Sequence, residues 1–364
     1  MYYLEDYAKQ WASLSVFIHH PLHKESTVDK TCFWEYVSDH LLWSSERRRS
    51  TFLPVVVSYL DDILLTLLYA IRRRRHFDIF VGADCLNALC GLILRAFGLV
   101  DQVVFYTIDL APKRFANRTL NLMYAALDAI CLRLSNCVWS VSEPMVLARR
   151  CQGLQDAKNI LVPTGIKSQQ PRTKDEIDSN AVVMIGALAP AKGVELLAKA
   201  FPEVIKKVPH AHLVIVGSGR MLDLIKSIPR VEYLGILTGP KLSDLLPRMR
   251  IGLALYQPAP SSDLDLTRFA EPGKVRDYLA SGLPVILTRA THMAGVIEKR
   301  QAGLVIDYRV EDLVNAIVRL LMDDELYWRM RQNTLALSRE FEPTATYGRA
   351  LGLLVAGTKY CALK

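Results

Sequence analysis

The chain has no CxxC pair, and its seven cysteines, Cys32, Cys85, Cys90, Cys131, Cys137, Cys151 and Cys361, are odd in number. A disulfide framework and a zinc ribbon are therefore not expected, and a reducing, cytoplasmic compartment is. The charged, amphipathic start "MYYLEDYAKQW" does not read as a signal peptide. No uninterrupted apolar run reaches membrane-spanning length. The nearest is "TFLPVVVSYLDDILLTLLYAI", residues 51–71, with Asp61 and Asp62 near its middle and Pro54 near its start. It reads as an apolar helix in a groove or at a membrane surface, or equally as a buried helix of the first domain, with a spanning segment the less favoured alternative. Neither GxGxxG nor GxxxxGK[ST] occurs, so a dinucleotide fingerprint and a P-loop are absent. No helix-turn-helix, zinc finger or aromatic RNA-binding signature accompanies the basic residues, so no nucleic-acid partner is expected.

What is present is apolar and basic. Apolar residues make up 51% of the 364, mean hydropathy is +0.16, and 45 Lys and Arg against 37 Asp and Glu give a formal charge of +8. Part of the excess lies in Arg47, Arg48 and Arg49 and in Arg72, Arg73, Arg74 and Arg75, which bracket the apolar stretch. Such clusters suit an anionic leaflet, at about 1 kcal/mol for each cation near the surface. A solvated helix face is the plain alternative.

Short apolar runs alternate with helix-period segments, the pattern of parallel sheets wrapped by helices. Strands are expected at 15–19, 77–82, 103–107, 137–142 and 159–163, then at 181–186, 212–217, 231–235, 251–256, 284–288 and 302–307. Each half reads as a Rossmann-like, doubly wound α/β domain. The polar stretch "KSQQPRTKDEIDSN", residues 167–180, reads as the linker between domains at 1–166 and 181–340, with residues 341–364 a helix packing back on the first. The chain opens on helix-like "LEDYAKQWASL" where a doubly wound domain opens on a strand, so the expectation is either a sheet without its first strand or a sequence that begins late, the late start being favoured.

The densest signals lie in the second half. The loop "GALAPAKG" places Gly186, Lys192 and Gly193 after a strand, where open α/β sheets bind ligands. "VGSGR" follows the next strand with Gly217, Gly219 and Arg220. In "FAEPGKVRDYLASGLPVI", residues 269–286, Pro272 and Gly273 open a helix whose backbone N–H groups can face an anion, with Lys274 close by and Asp277 free to accept from sugar hydroxyls. An ordinary βα turn with a solvated lysine competes for each feature taken alone. In the first half, Thr107 and Asp109 follow one strand and Ser142 and Glu143 another, where a carboxylate could orient an acceptor hydroxyl or merely cap a helix. His19, His20 and His23 are a weak metal motif, and the Asp263 and Asp265 pair reads as a solvated loop, so no metal is expected.

Taken together, these motifs resemble the donor domain of GT-B glycosyltransferases of the family-4-like group (glycosyl transferases group 1), well over 181–340 and more loosely before it. The family shows "GxLxxxKG", "VGxG" and "ExxxLEAMAxGxPVI". The resemblance implies transfer of a sugar, with retention and without metal or other cofactor, from a nucleotide-diphosphate sugar to a glycan or lipid-linked acceptor in cell-envelope polysaccharide synthesis. It assigns Lys192 to the diphosphate, Pro272 and Gly273 to phosphate or sugar, Asp277 to the ribose and Leu234, in "VEYLGIL", to the base. Asp109 and Glu271 are the catalytic candidates, and Thr107, Ser142 and Glu143 lie on the acceptor side. Two departures stand out: Ala187 replaces the usual arginine, and Phe269 replaces the first acid, with Glu271 the nearest carboxylate. The rival expectations are a nucleotide-sugar-binding subunit without turnover and a GT-B-like sugar-nucleotide epimerase.

Overall fold

A computed structural model describes residues 2–21, 30–48, 54–110, 114–258, 269 and 271–361. His23, Arg49, Asp263, Asp265 and the start of the apolar stretch lie outside the described residues. The chain divides into two compact units, Met1–Thr164 with Thr346–Lys364, and Gly165–Ala345.

In the first unit, strands β1 (Leu14–His19), β2 (Lys30–Val37) and β3 (His40–Arg48) form an antiparallel sheet. Strands β4 (Phe77–Ala83), β5 (Val100–Thr107), β6 (Cys137–Ser140) and β7 (Asn159–Leu161) follow in a parallel sheet in sequence order. The run at 15–19 thus heads an antiparallel sheet and takes no part in the parallel one. Its partners β2 and β3 escape a search for apolar runs because they are half polar: β3 is exposed along nearly its whole length.

The apolar stretch forms the helix Val55–Arg73, and no helix among the described residues is long and apolar enough to cross a membrane. Its polar groups are matched from within the unit. His20 lies 3.2 Å from Asp62 and 2.9 Å from Thr66, and Arg47 lies 3.7 Å from Asp61. Glu35, buried on β2, takes the Tyr69 hydroxyl and the Arg73 guanidinium at 2.7 Å, with Arg75 at 3.6 Å. Arg73 also lies over the Trp43 ring at 4.0 Å. Half of the second arginine run therefore neutralises an internal carboxylate.

The second unit carries one parallel sheet built from β8 (Ala181–Ile185), β9 (His212–Val216), β10 (Val231–Tyr233), β11 (Ile251–Ala254), β12 (Val285–Thr288) and β13 (Gly303–Ile306). Their spatial order, β10-β9-β8-β11-β12-β13, is the doubly wound arrangement, with its switch point between β8 and β11. Strand β8 is fully buried and packs beneath the helix Val194–Lys207, whose Val194, Leu197, Ala200, Phe201 and Val204 form the inward stripe. The stretch read as a linker is bound to this unit: Ile166 N–H donates to Phe341, Gln169 N–H to Ala280, and Arg172 reaches Glu176 and Asp244.

At the switch point the ladder between β8 and β11 runs only as far as the Val183 and Gly252 pair. Beyond it Tyr278, buried on the helix Gly273–Ala280, brings its hydroxyl between the strands, accepting from Ile185 N–H at 3.0 Å and lying 3.0 Å from the Leu253 carbonyl. Gly252 admits the ring, since a Cβ there would stand 2.6 Å from it. Tyr278→Phe should leave both backbone groups unmatched and lower unfolding free energy by about 1–3 kcal/mol. Urea titration monitored by circular dichroism would measure the loss, and a variant as stable as the parent would contradict this role.

Candidate functional site

The expected donor-side residues converge on the carboxyl ends of β8, β9 and β11. The turn Pro190–Lys192 ends at Gly193, which adopts φ 76° and lies so close to Leu255 that a Cβ would stand 2.2 Å from that side chain. Gln257 N–H donates to the Ala191 carbonyl, tying the turn to the segment after β11. The loops after β8 and β9 lie backbone against backbone: Gly186 N–H donates to Val216, Leu188 N–H to Ser218, and a Cβ on Gly217 would meet the Gly186 carbonyl at 1.9 Å. Gly217 and Gly219 serve this close approach, and Arg220 is exposed beyond it.

Tyr256, just past β11, forms the floor. Its backbone N–H donates to the Thr288 hydroxyl at 2.8 Å, and that hydroxyl donates back to its carbonyl at 2.7 Å. Two ammonium groups stand over its ring, Lys192 Nζ at 5.0 Å and Lys274 Nζ at 5.4 Å from the centroid. Lys274 Nζ is buried and has no hydrogen-bond partner among the described residues. A Cβ built on Gly186 would lie 3.6 Å from it, so the glycine leaves the ammonium room. Burial, then the charge of Lys192, lowers Lys274 to about 8, and burial lowers Lys192 as well. Burial raises Asp277, on the same helix, to about 6. Two crowded cations, one of them buried without a partner, form a site short of an anion.

At the helix start, Pro272 provides no side-chain cap, its carbonyl accepts from Val275 N–H, and nothing lies within 4 Å of a Cβ on Gly273. That opening leaves the first-turn N–H groups approachable. Leu234 does not present a free backbone donor, because its N–H pairs with the Ile215 carbonyl and its side chain packs on the core.

Other expectations need correction. Glu271 is buried and ion-paired with Arg276, whose guanidinium lies 3.4 Å from the Phe341 ring centroid, so this carboxylate is held by a neighbouring cation. His292 stands near Arg276, and burial followed by that charge lowers it to about 4, leaving the imidazole neutral. Thr107 is buried and donates to the Trp139 carbonyl at 2.8 Å, and Ser142 is buried as the N-cap of the helix Glu143–Cys151. Both hydroxyls are therefore engaged within the unit. Asp109 and Glu143 are exposed. The histidines do have carboxylates nearby: His19 lies 2.8 Å from Glu5, as His20 lies near Asp62, yet no group of three metal-ligating residues forms among the described residues.

Sequence reasoning missed Tyr256, although an aromatic residue directly after a buried strand at a switch point was a legible sign. It also missed Asp84 at the end of β4. This residue adopts φ 79° and ψ 157°, caps the following helix, accepts from the Tyr124 hydroxyl at 2.7 Å and pairs with Arg114 at 3.1 Å.

The doubly wound second unit, with its cationic crevice at the switch point, belongs to the GT-B class of folds. Residues 179–323 match the family described as Glycosyl transferases group 1. Among relatives, an uncharacterized glycosyltransferase of Haemophilus influenzae is 22% identical over 186 residues, covering 50% of this chain and 51% of that protein. A GDP-mannose-dependent phosphatidylinositol monomannoside mannosyltransferase of Mycobacterium tuberculosis is 24% identical over 147 residues, covering 39% of this chain and 38% of its own length. The chain thus spans about half or less of these relatives. Among solved structures, Anabaena HepE in complex with UDP superposes with a TM-score of 0.62 at 16% identity, over 83% of this chain and 84% of that one. A trehalose 6-phosphate synthase from Burkholderia multivorans gives 0.62 at 14% identity, over 85% and 76%.

Lys274→Met should remove a buried charge that folding disfavours. The unliganded variant is expected to melt higher, by about 2–4 °C for each kcal/mol relieved, and to lose most of its stabilisation by a nucleoside diphosphate. Differential scanning calorimetry with and without UDP and GDP checks both; a lower melting point would contradict the account of an unmatched cation.

Proposed function

We propose that the protein is a glycosyltransferase that moves a sugar from a nucleotide-diphosphate sugar to a glycan or lipid-linked acceptor, with retention and without a metal. The observation that carries this reading is the pair Lys192 and Lys274 over Tyr256, at the carboxyl ends of the switch-point strands. Departure of a nucleoside diphosphate concentrates negative charge on its phosphates, and fixed cations beside a helix N-terminus stabilise that charge as it develops. Lys274 takes the place of the family arginine that Ala187 lacks. Pro272 and Gly273 open the helix to phosphate or sugar, and Asp277 accepts from the ribose. HepE was solved with UDP and with UDP-glucose, which supports a nucleotide sugar as ligand. The acceptor is assigned to the first unit, with Asp109 and Glu143 as its exposed carboxylates. Asp109 is the remaining catalytic candidate.

A second reading, a subunit that binds nucleotide sugar without turning it over, is favoured by the commitment of Glu271 to Arg276. A thermal-shift panel of UDP, GDP, ADP and TDP sugars, followed by an assay for released nucleoside diphosphate, separates the two. Stabilisation with donor consumption supports the transferase; stabilisation with no donor consumed under any acceptor supports the subunit. Lys192→Ala should abolish the thermal shift, and an unchanged shift would move the phosphate site elsewhere.

Nucleotide affinity should also depend on pH in a defined sense. Above about 8, Lys274 is neutral in the free protein and must take up a proton to meet the phosphates, so affinity falls as pH rises. Below about 6, Asp277 is protonated in the free protein and must lose a proton to accept from the ribose as a carboxylate, so affinity falls as pH drops. Isothermal titration should show a maximum between these values, with up to about a tenfold loss per pH unit outside them. A flat profile from pH 5 to pH 9 would contradict both assignments.

A further inference from the structure

We infer that the first unit docks on an anionic membrane surface through the outer face of the helix Arg118–Leu134, assisted by that of Val55–Arg73. Leu122, Met123, Ile130 and Leu134 are between 45% and 63% exposed, and a contiguous apolar patch, unlike single exposed side chains, marks an interaction surface. At 3.6 residues per turn they fall within about 120° of arc, a single stripe, with exposed Ala126 and Arg133 inside it. No carboxylate shares that stripe. Asp128, the one acid of the helix, lies on the opposite side, where Arg149 holds it at 2.8 Å.

The helix Val55–Arg73 has a stripe of the same kind, with Leu60, Leu64 and Ile71 at least half exposed. Its two acids are matched by Arg47 and His20, and the exposed Arg72 and Arg74 close its end. Both helices pack on the helix Cys85–Ala96 between them, and Phe115 touches a ring of each, Tyr59 on one and Tyr124 on the other. An apolar stripe that carries a cation and no acid, beside a second one ended by two cations, suits a helix lying in the plane of an anionic bilayer surface. A second copy of the chain fits less well, because face-to-face pairing would bring Arg133 and the other cations of one copy against those of the next.

This assignment differs from the arginine runs taken as a whole, since Arg73 and Arg75 are bound to Glu35 and are not available to lipid. It is also independent of the nucleotide site, which lies on the other unit.

Flotation of the full chain with phosphatidylcholine vesicles, with and without phosphatidylglycerol, tests it. The protein should float with the anionic vesicles, less well with the neutral ones, and less well as salt rises from about 0.05 to about 0.5 M. The triple variant Leu122→Ser, Met123→Ser, Leu134→Ser should bind anionic vesicles at least about tenfold more weakly, with its nucleotide-induced thermal shift unchanged. Arg133→Glu should weaken binding to anionic vesicles only. Absence of flotation by the parent chain, or equal flotation by a folded triple variant, overturns the proposal. So does a dimer in analytical ultracentrifugation that the triple variant abolishes, because the face would then belong to self-association. Should the triple variant fail to fold, Arg133→Glu decides alone, and binding equal to the parent overturns the proposal.

Discussion

Tyr278 stands where two parallel strands stop pairing, and the donor-side crevice depends on that break. Strand β8 remains paired with β9 as far as Ile185, and β11 with β12 as far as Ala254, while the two lose each other after Val183 and Gly252. Backbone groups left open in a sheet interior are costly, and a phenol hydroxyl that can both accept and donate matches one of each. Because Tyr278 sits on the helix that also carries Lys274 and Asp277, the separation of the strands and the position of these two side chains have one cause.

The electrostatic character of the crevice follows from the same packing. Lys274 lies one turn before Tyr278, so seating the tyrosine between the strands draws the ammonium over Tyr256 and toward Lys192. Lys274 has no hydrogen-bonded counter-charge among the described residues, whereas nearby Arg276 has Glu271. The two sides of one short helix thus differ: one carries a neutralised guanidinium, the other an unneutralised ammonium. Only the second is prepared for an incoming anion.

Much of the second unit was legible because its strands are buried on both faces, giving short apolar runs, and because glycine, proline and lysine stand at their carboxyl ends. The loops at Gly186 and Gly217 and the helix at Pro272 could be placed for that reason. Three-dimensional pairing was not legible. Glu271 looked like a free acid until Arg276 was found beside it, and Thr107 and Ser142 looked like site residues although neighbouring backbone takes up their hydroxyls. The antiparallel sheet was hidden for another reason: β3 is largely exposed, so its sequence lacks the apolar alternation that marks a half-buried strand. The segment at 167–180 has the composition of a tether, yet its hydrogen bonds fix it along the second unit.

The division of the chain bears on the order in which it can be assembled during synthesis. Gly165–Ala345 is a continuous stretch, whereas the first unit draws on both sides of it, Met1–Thr164 and Thr346–Lys364. Gly348, in that later portion, packs against the Tyr7 hydroxyl near the amino terminus. A ribosome therefore delivers everything the second unit needs before the first unit receives the helix Arg349–Cys361. Until then Tyr7 lacks the backbone that Gly348 brings against it, and the first unit waits on the second for its completion.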